Sequence, residues 1–335
     1  MRDLLDKVAR RVHLTFEEAY GVARDMLGGV DEALGAAVLM GLRVKGEAAE
    51  EIAGFAKALR DSCIKIPLGE ELDRFIDTAG TGGDGFGTLN ASTIAALVSA
   101  YLGAHVIKHG NRSVSSTSGS ADFLEALGFN IEIPPKKVAE MALKYRFSFA
   151  FAPAYHPAMR NVMPVRRKLG IRTIFNLIGP LANPALVTRQ LIGVADSSLI
   201  DVMAQAAMML GFEKAVLVHG EPGIDEVSVF GKTIVVEVNG RRIDKYLVEP
   251  RDLGLREYRI EDVHVSSPRE SVERFKRAVA SADLASRDFI TANTAFALYV
   301  AGIVRDLKDG VELVKAEFDE GVLDYVDELV RVSRS

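Results

Sequence analysis

Residues 77–93, DTAGTGGDGFGTLNAST, set Gly80, Gly82, Gly83, Gly85 and Gly87 within eight positions. A tight turn needs one or two glycines; five imply positive backbone dihedrals and a close approach of the main chain to another group. The cluster follows a short apolar run, Arg74-Phe-Ile-Asp77, and precedes a helical pattern that opens at Asn90, a good N-cap residue. A strand that feeds a glycine loop and then a helix is the repeating unit of an α/β sheet. It aims backbone N–H groups and a helix N-terminus at an anion.

The chain around this unit falls into two textures. The first sixty residues read as helical, with a capping box at Thr15 and Glu18, a stop at Gly28-Gly29, and apolar residues at helical spacing over 32–43 and 47–60. After residue 74 strands and helices alternate. Further strands are expected at Ala104–Lys108, Ser148–Ala152 and Ala215–Val218, with helices near 121–127 and 199–210. A period-two pattern around Asn239-Gly240 predicts a hairpin within Val227–Val248, and the tail from Ser271 is helical. The expected fold is α/β, a small all-helical domain plus a larger α/β domain with a mostly parallel central sheet. The helical domain takes residues 1–70 and a returning insert near 157–190; the α/β domain takes 71–156 and 191–335.

Bulk properties narrow the function. A formal net charge of −5 argues against a general nucleic-acid binder. Cys63 is the single cysteine, which excludes an intrachain disulfide and a cysteine-based zinc cluster and fits a cytoplasmic setting. The mostly apolar stretch 93–107 is shorter than the roughly 20 residues of a membrane-spanning helix and reads as a buried helix running into a strand. The opening MRDLLDKVARR forms no signal-peptide core. No membrane role is expected.

Gly80, Gly82 and Gly85 spell the dinucleotide pattern G-x-G-x-x-G, but that site needs an acidic residue about 20 positions on, at the end of the next strand. Lys108-His109-Gly110-Asn111-Arg112 stands there instead. A P-loop fails too, because Phe86-Gly87 occupies the place of its Lys-Ser or Lys-Thr. Asp84 sits among the amides, and a carboxylate repels phosphate unless a cation or a sugar hydroxyl lies between them. Magnesium, which bridges phosphates with few protein ligands, and a sugar phosphate or pyrophosphate meet that condition. Asn90, Ser92 and Thr93 add polar groups at the same helix start. The loop KHGNRSVSSTSGSAD, residues 108–122, leaves the strand expected beside the glycine loop, where ligands of open parallel sheets bind.

With GTGGDG…NAST, KHGNRSVSSTSGSADFLEALG, FAPAYHPAMRNVMPVRRKLGIRTIFNLIGPLANPA and GIDEVSV in this order, the chain resembles the anthranilate phosphoribosyltransferase family over about residues 70–230. The glycine loop alone would also suit the pyrimidine nucleoside phosphorylases. The Asn in Lys-His-Gly-Asn-Arg and the block VRRKLGIRTIFNLIGPL point to the former. A non-catalytic nucleic-acid-binding paralogue is the alternative from another class. The resemblance implies transfer of the phosphoribosyl group of 5-phosphoribosyl 1-diphosphate to the amine of anthranilate, with pyrophosphate released, as a step of tryptophan biosynthesis. It also implies Mg2+ and a homodimer formed through the helical unit.

By resemblance, Gly80, Gly82, Gly83, Asp84, Thr88, Asn90, Ala91, Ser92 and Thr93 hold the diphosphate and ribose. Lys108, His109, Gly110, Asn111, Arg112, Ser113, Ser115, Ser116 and Ser120 take the remaining phosphate oxygens, with Lys108 supplying the electrostatics of diphosphate departure. Anthranilate falls to Gly80, Asn111, His156 and Arg166, the arginine gripping its carboxylate. His156 is read as a wall of the aromatic site, whereas His13, His105, His219 and His264 take structural roles. The metal falls to Ser92, Asp225 and Glu226. No general base is assigned, since an aromatic amine is already neutral at pH 7. Ala91, and TANTA at 291–295, depart from the usual family pattern and bear on packing alone.

Overall fold

A computed structural model of the chain describes residues 2–113 and 117–335. Four helices open it: α1 (Arg2–Ala9), α2 (Phe16–Gly29), α3 (Glu32–Lys45) and α4 (Ala49–Ser62). The start of α2 is the expected capping box: Thr15 Oγ1 accepts from Glu18 N–H at 3.2 Å, and Glu18 Oε2 accepts from Thr15 N–H at 2.9 Å. Helices α2 and α4 meet at Gly54, where a Cβ would come within 2.8 Å of Ala19 Cβ, so only glycine lets the backbones cross so closely.

The chain then builds β1 (Phe75–Gly80), α5 (Ala91–Tyr101), β2 (His105–Gly110), α6 (Ser120–Leu127), α7 (Pro135–Tyr145) and β3 (Phe147–Phe151). Helix α8 (Ala152–Tyr155) follows β3 directly, and the insert carries α9 (Met163–Leu169) and α10 (Ile174–Leu177). Its Val165, Ile174 and Phe175 share a core with Leu42, Ile52 and Phe55 of the N-terminal helices. Next come β4 (Arg189–Gly193), α11 (Ile200–Met209), β5 (Lys214–Gly220), β6 (Thr233–Asn239) and β7 (Arg242–Val248). Helices α12 (Pro268–Val279), α13 (Leu284–Ala301), α14 (Leu307–Glu317) and α15 (Gly321–Arg334) close the chain.

All seven strands form one sheet in the order β3-β2-β1-β4-β5-β6-β7. The first five are mutually parallel, and the hairpin β6–β7 adds antiparallel at one edge. Successive strand residues alternate between two cores, as the two-residue period requires. Leu191, Val216 and Val235 face Ile94, Phe289 and Phe296, whereas Ile192, Leu217 and Val236 face Met203, Phe55 and Phe175. Helices therefore cover both faces. None of the described helices is long and apolar enough to cross a membrane.

The structure departs from the sequence expectations at four places. Arg189–Gly193, at the end of the expected insert, is a strand; its five residues carry little pattern of their own and gain their state from pairing with β1 and β5. Lys214–Gly220 is thus the fifth strand, not the fourth. The hairpin begins at Thr233 rather than Val227, because Val227 and Val229 are buried in a loop against α13. Helix α7 is an addition, although Pro135 at its first turn and the buried Val138, Met141 and Ala142 give it a helical stripe.

Candidate active site

Strand order reverses at β1, which has β2 on one side and β4 on the other. Such a switch point opens a crevice beyond the carboxyl ends of the strands, and the glycine loop leaves β1 into it. Gly82, Gly83, Gly85 and Gly87 all have positive φ, between 63° and 81°. Runs of that geometry turn successive N–H groups toward one side.

The loop after β5 folds back across this point. Asp225 Oδ2 accepts from Gly82 N–H at 2.7 Å, and a Cβ on Gly80 would collide with that carboxylate, its carbon only 3.1 Å away. A Cβ on Gly193 at the end of β4 would strike the Asp225 carbonyl oxygen. Glu226 Oε1 accepts from Ser92 N–H at 3.2 Å, at the first turn of α5. Asp84, inside the glycine loop, belongs to the same group electrostatically. Burial, then the charge of Asp225, pushes its carboxyl up to about 6. Burial, then Asp225, pushes Glu226 up to about 8, and the Ser92 N–H works against the shift.

The charge of Asp225 opposes ionisation of Asp84 and Glu226, and that of Asp84 opposes ionisation of Glu226, a repulsion that a divalent cation relieves. Among the described residues, no three His, Cys, Asp or Glu side chains stand together as a ready-made metal cage. The fit is therefore to a cation that takes one or two protein carboxylates and completes its shell with phosphate oxygens and water, as magnesium does.

Lys108, at 2% exposure, lies beneath the loop; its ammonium donates to the Thr78 carbonyl and, at 3.4 Å, to Thr78 Oγ1. Burial lowers its pKa, and Asp77, Glu226 and Asp225 counter that by their charge. His109 Nε2 lies 3.2 Å from His156 Nε2, and both rings are buried. Burial holds His109 well below the ordinary histidine range, and His156 at about 4, so the pair is uncharged at pH 7.

The second loop touches the first. Asn90 stands at the cap position of α5 but makes no capping bond; its Nδ2 donates to the Ser118 carbonyl at 3.1 Å, and its Oδ1 accepts from Ser118 Oγ at 2.8 Å. Thr88 pairs through its backbone with His264. Ala91 and Thr93 are buried in the first turn of α5. Asn111 is exposed and accepts from Arg112 N–H at 2.8 Å, and Arg112 forks onto Glu125 and lies 5.0 Å over the Phe151 ring. Ser113 N–H donates to Asp122 Oδ2 at 2.9 Å, and Ser120 Oγ, which would meet a Cβ on Gly110, donates to the Asn111 carbonyl at 3.3 Å. Ser115 and Ser116 lie outside the described residues. Arg166, in the last turn of α9, donates to Asn176 Oδ1 at 3.3 Å and lies 5.9 Å over the Phe175 ring; partial burial lowers its pKa.

Three supporting residues escape the sequence reading. Buried Asp77 accepts from Thr78 N–H (2.7 Å), His109 N–H (3.1 Å) and Asn183 Nδ2 (2.9 Å), which ties the ends of β1 and β2 together. Asn293 of α13 donates to the Val227 carbonyl and accepts from the Val227 N–H, fixing the chain just after Glu226. Arg172 binds the back of the glycine loop through the Gly82 carbonyl at 2.7 Å. Asp77 and Arg172 both lie in quoted motifs, and Asn293 in the TANTA stretch; only their partners are invisible in the sequence.

Residues 72–322 match the model of the glycosyl transferase family, a/b domain, and residues 2–63 that of the glycosyl transferase family, helical bundle domain. An anthranilate phosphoribosyltransferase of Caldivirga maquilingensis is 60% identical over the whole chain and 99% of its own length. The chain belongs to the anthranilate phosphoribosyltransferase family. The crystal structure of the family's enzyme from Thermus thermophilus superposes with a TM-score of 0.92 at 38% identity, over 99% of both chains. That from Saccharomyces cerevisiae, in complex with PRPP and Mg, gives 0.87 at 27% identity, over 98% of this chain and 96% of the other. The family membership accounts for the helical bundle joined to a mostly parallel seven-stranded sheet.

Proposed function

We propose that this protein is an anthranilate phosphoribosyltransferase, moving the phosphoribosyl group of 5-phosphoribosyl 1-diphosphate onto the amine of anthranilate in tryptophan biosynthesis. The observation that carries the reading is the full-length 60% identity to an enzyme of that name. The site agrees: an amide nest with three carboxylates lies at the switch point of the sheet.

In this reading the glycine loop from Gly80 to Asp84, with Thr88 and the start of α5, holds diphosphate and ribose. Ser113, Ser115, Ser116 and Ser120 hold phosphate oxygens with the main chain of Lys108 to Arg112. Lys108 supplies fixed positive charge from below. Asp225, Glu226 and Ser92 would hold magnesium, which would supply neutralising charge for the departing diphosphate. The transferring C1 passes through an oxocarbenium-like state, so the protein's task is to place the amine in line and to stabilise the leaving charge. Arg166 keeps N–H groups beyond its bond to Asn176 for the anthranilate carboxylate, and Asn111 and His156 complete that pocket. A neutral His109–His156 pair suits an amine that needs no strong base.

Residues 1–70 with the insert act as one body, and residues 71–156 with 191–335 as the other. Exposed Val12, Met40 and Val44 on the helical unit support a homodimer through that unit, and the lone Cys63 suits the cytoplasm. The test is loss of anthranilate fluorescence on mixing the protein with anthranilate, phosphoribosyl diphosphate and Mg2+. No loss at saturating substrates, or phosphate-dependent release of base from a pyrimidine nucleoside, overturns the reading.

A further inference from the structure

We infer that Arg172 is a positioning residue for the diphosphate loop: from behind, it orients two successive peptide groups of that loop, turning the Gly82 N–H onto Asp225 and the Gly83 N–H away from the guanidinium. Arg172 lies between α9 and α10, on the insert rather than on the sheet. Its Nη1 donates to the Gly82 carbonyl at 2.7 Å and its Nη2 to the Thr81 carbonyl at 3.4 Å. In a trans peptide the C=O and the following N–H point in opposite directions. Binding the Thr81 carbonyl therefore turns the Gly82 N–H away from Arg172, and that N–H indeed meets Asp225 Oδ2 at 2.7 Å. Binding the Gly82 carbonyl turns the Gly83 N–H away in the same manner.

The two glycines hold φ of 64° and 74°, so the loop has little steric preference of its own and needs an outside restraint. Gly83 is also shaped for the clamp: a Cβ there would strike Nη1, with Cζ at 3.1 Å. A planar guanidinium can hold two carbonyls in fixed relation, which an ammonium cannot. Behind Arg172 lies a cavity of about 160 Å3, walled also by Arg43, Glu47, Thr81, Thr173 and Asp196. At about 30 Å3 per water it has room for several waters, and so for a guanidinium ion. Glu47 Oε1 and Thr173 Oγ1, both buried there without a hydrogen-bond partner among the described residues, offer such an ion acceptors.

The inference rests on the loop binding phosphoribosyl diphosphate, as proposed above. Its test is steady-state kinetics of full-length Arg172→Ala and Arg172→Lys with Mg2+, varying each substrate. A misplaced loop should raise KM for phosphoribosyl diphosphate on the order of 10- to 100-fold. KM for anthranilate should stay within about 3-fold, because Arg166 is untouched. Added guanidinium ion should restore Arg172→Ala in part and leave Gly83→Ala unrescued, an outcome that loss of structure would not produce. Should Arg172→Ala fail to fold, Arg172→Lys carries the same KM comparison. Unchanged KM for phosphoribosyl diphosphate, or an equal rise for both substrates, overturns the inference while leaving the activity standing. An unaltered protein that turns over neither substrate instead sinks the functional reading on which it rests.

Discussion

Replacing His156 with Gln should remove much of the protein's sensitivity to acid between pH 6.5 and 4. His156 is buried beside His109, ring centroids 5.0 Å apart, and the charge of Lys65 further opposes its protonation. Burial leads these causes and holds the imidazole at about 4. The unfolded chain takes up the proton near pH 6.5 and the folded chain does so only near 4, so acid favours unfolding. Stability from this group is complete above about 6.5, declines as pH falls, and levels off below about 4. At about 1.4 kcal/mol per pH unit, the loss with His156 at about 4 comes to about 3 kcal/mol. Other groups also titrate, and the comparison of two proteins cancels most of them. Urea unfolding of the unaltered chain and of His156→Gln, at pH 7 and pH 4, measures the difference. The variant should lose about 3 kcal/mol less between the two pH values. Equal losses would show that the His109–His156 pair is hydrated in solution and that its burial does not set its charge.

Three further outcomes follow from named contacts. Gly80→Ala would drive a methyl group into the Asp225 carboxylate, so kcat/KM for phosphoribosyl diphosphate should fall by at least about 10-fold; a change of less than about 2-fold refutes the contact. Asn293→Ala leaves the N–H and carbonyl of Val227 buried without their partner, which should cost about 2–4 kcal/mol in denaturant unfolding. Unchanged stability would mean that the segment after Glu226 anchors itself by other means. Arg166→Ala removes the charge read as gripping the anthranilate carboxylate and should raise KM for anthranilate about 10- to 100-fold at unchanged KM for the diphosphate substrate, measured by the fluorescence assay.

Much of the site is legible in the sequence because its chemistry is local. Five glycines in eight residues announce positive φ wherever they stand, and four of them have it. The cations at 108–112 and the serines beyond them raise the expectation of an anion site without reference to any partner. Likewise Thr15 and Glu18 cap a helix through neighbours three residues apart. Asn90 shows the limit of such reasoning: a residue type that favours capping is spent instead on Ser118, 28 residues away.

What the chain cannot declare locally is which segments meet. Asp225 and the Gly82 N–H lie 143 residues apart, and they touch because β4 slots between β1 and β5. That strand owes its existence to pairing on both sides, so its own five residues show no sign of it. Arg172 reaches Gly82 across 90 residues, and Asn293 reaches Val227 across 66, each from an element whose pattern speaks only of helix or loop. The kinds of group that the site contains are thus written in the chain, since residue type and backbone preference act over a few positions. Their partners and charge states come from the folded arrangement, because burial and Coulomb interaction depend on distance through space.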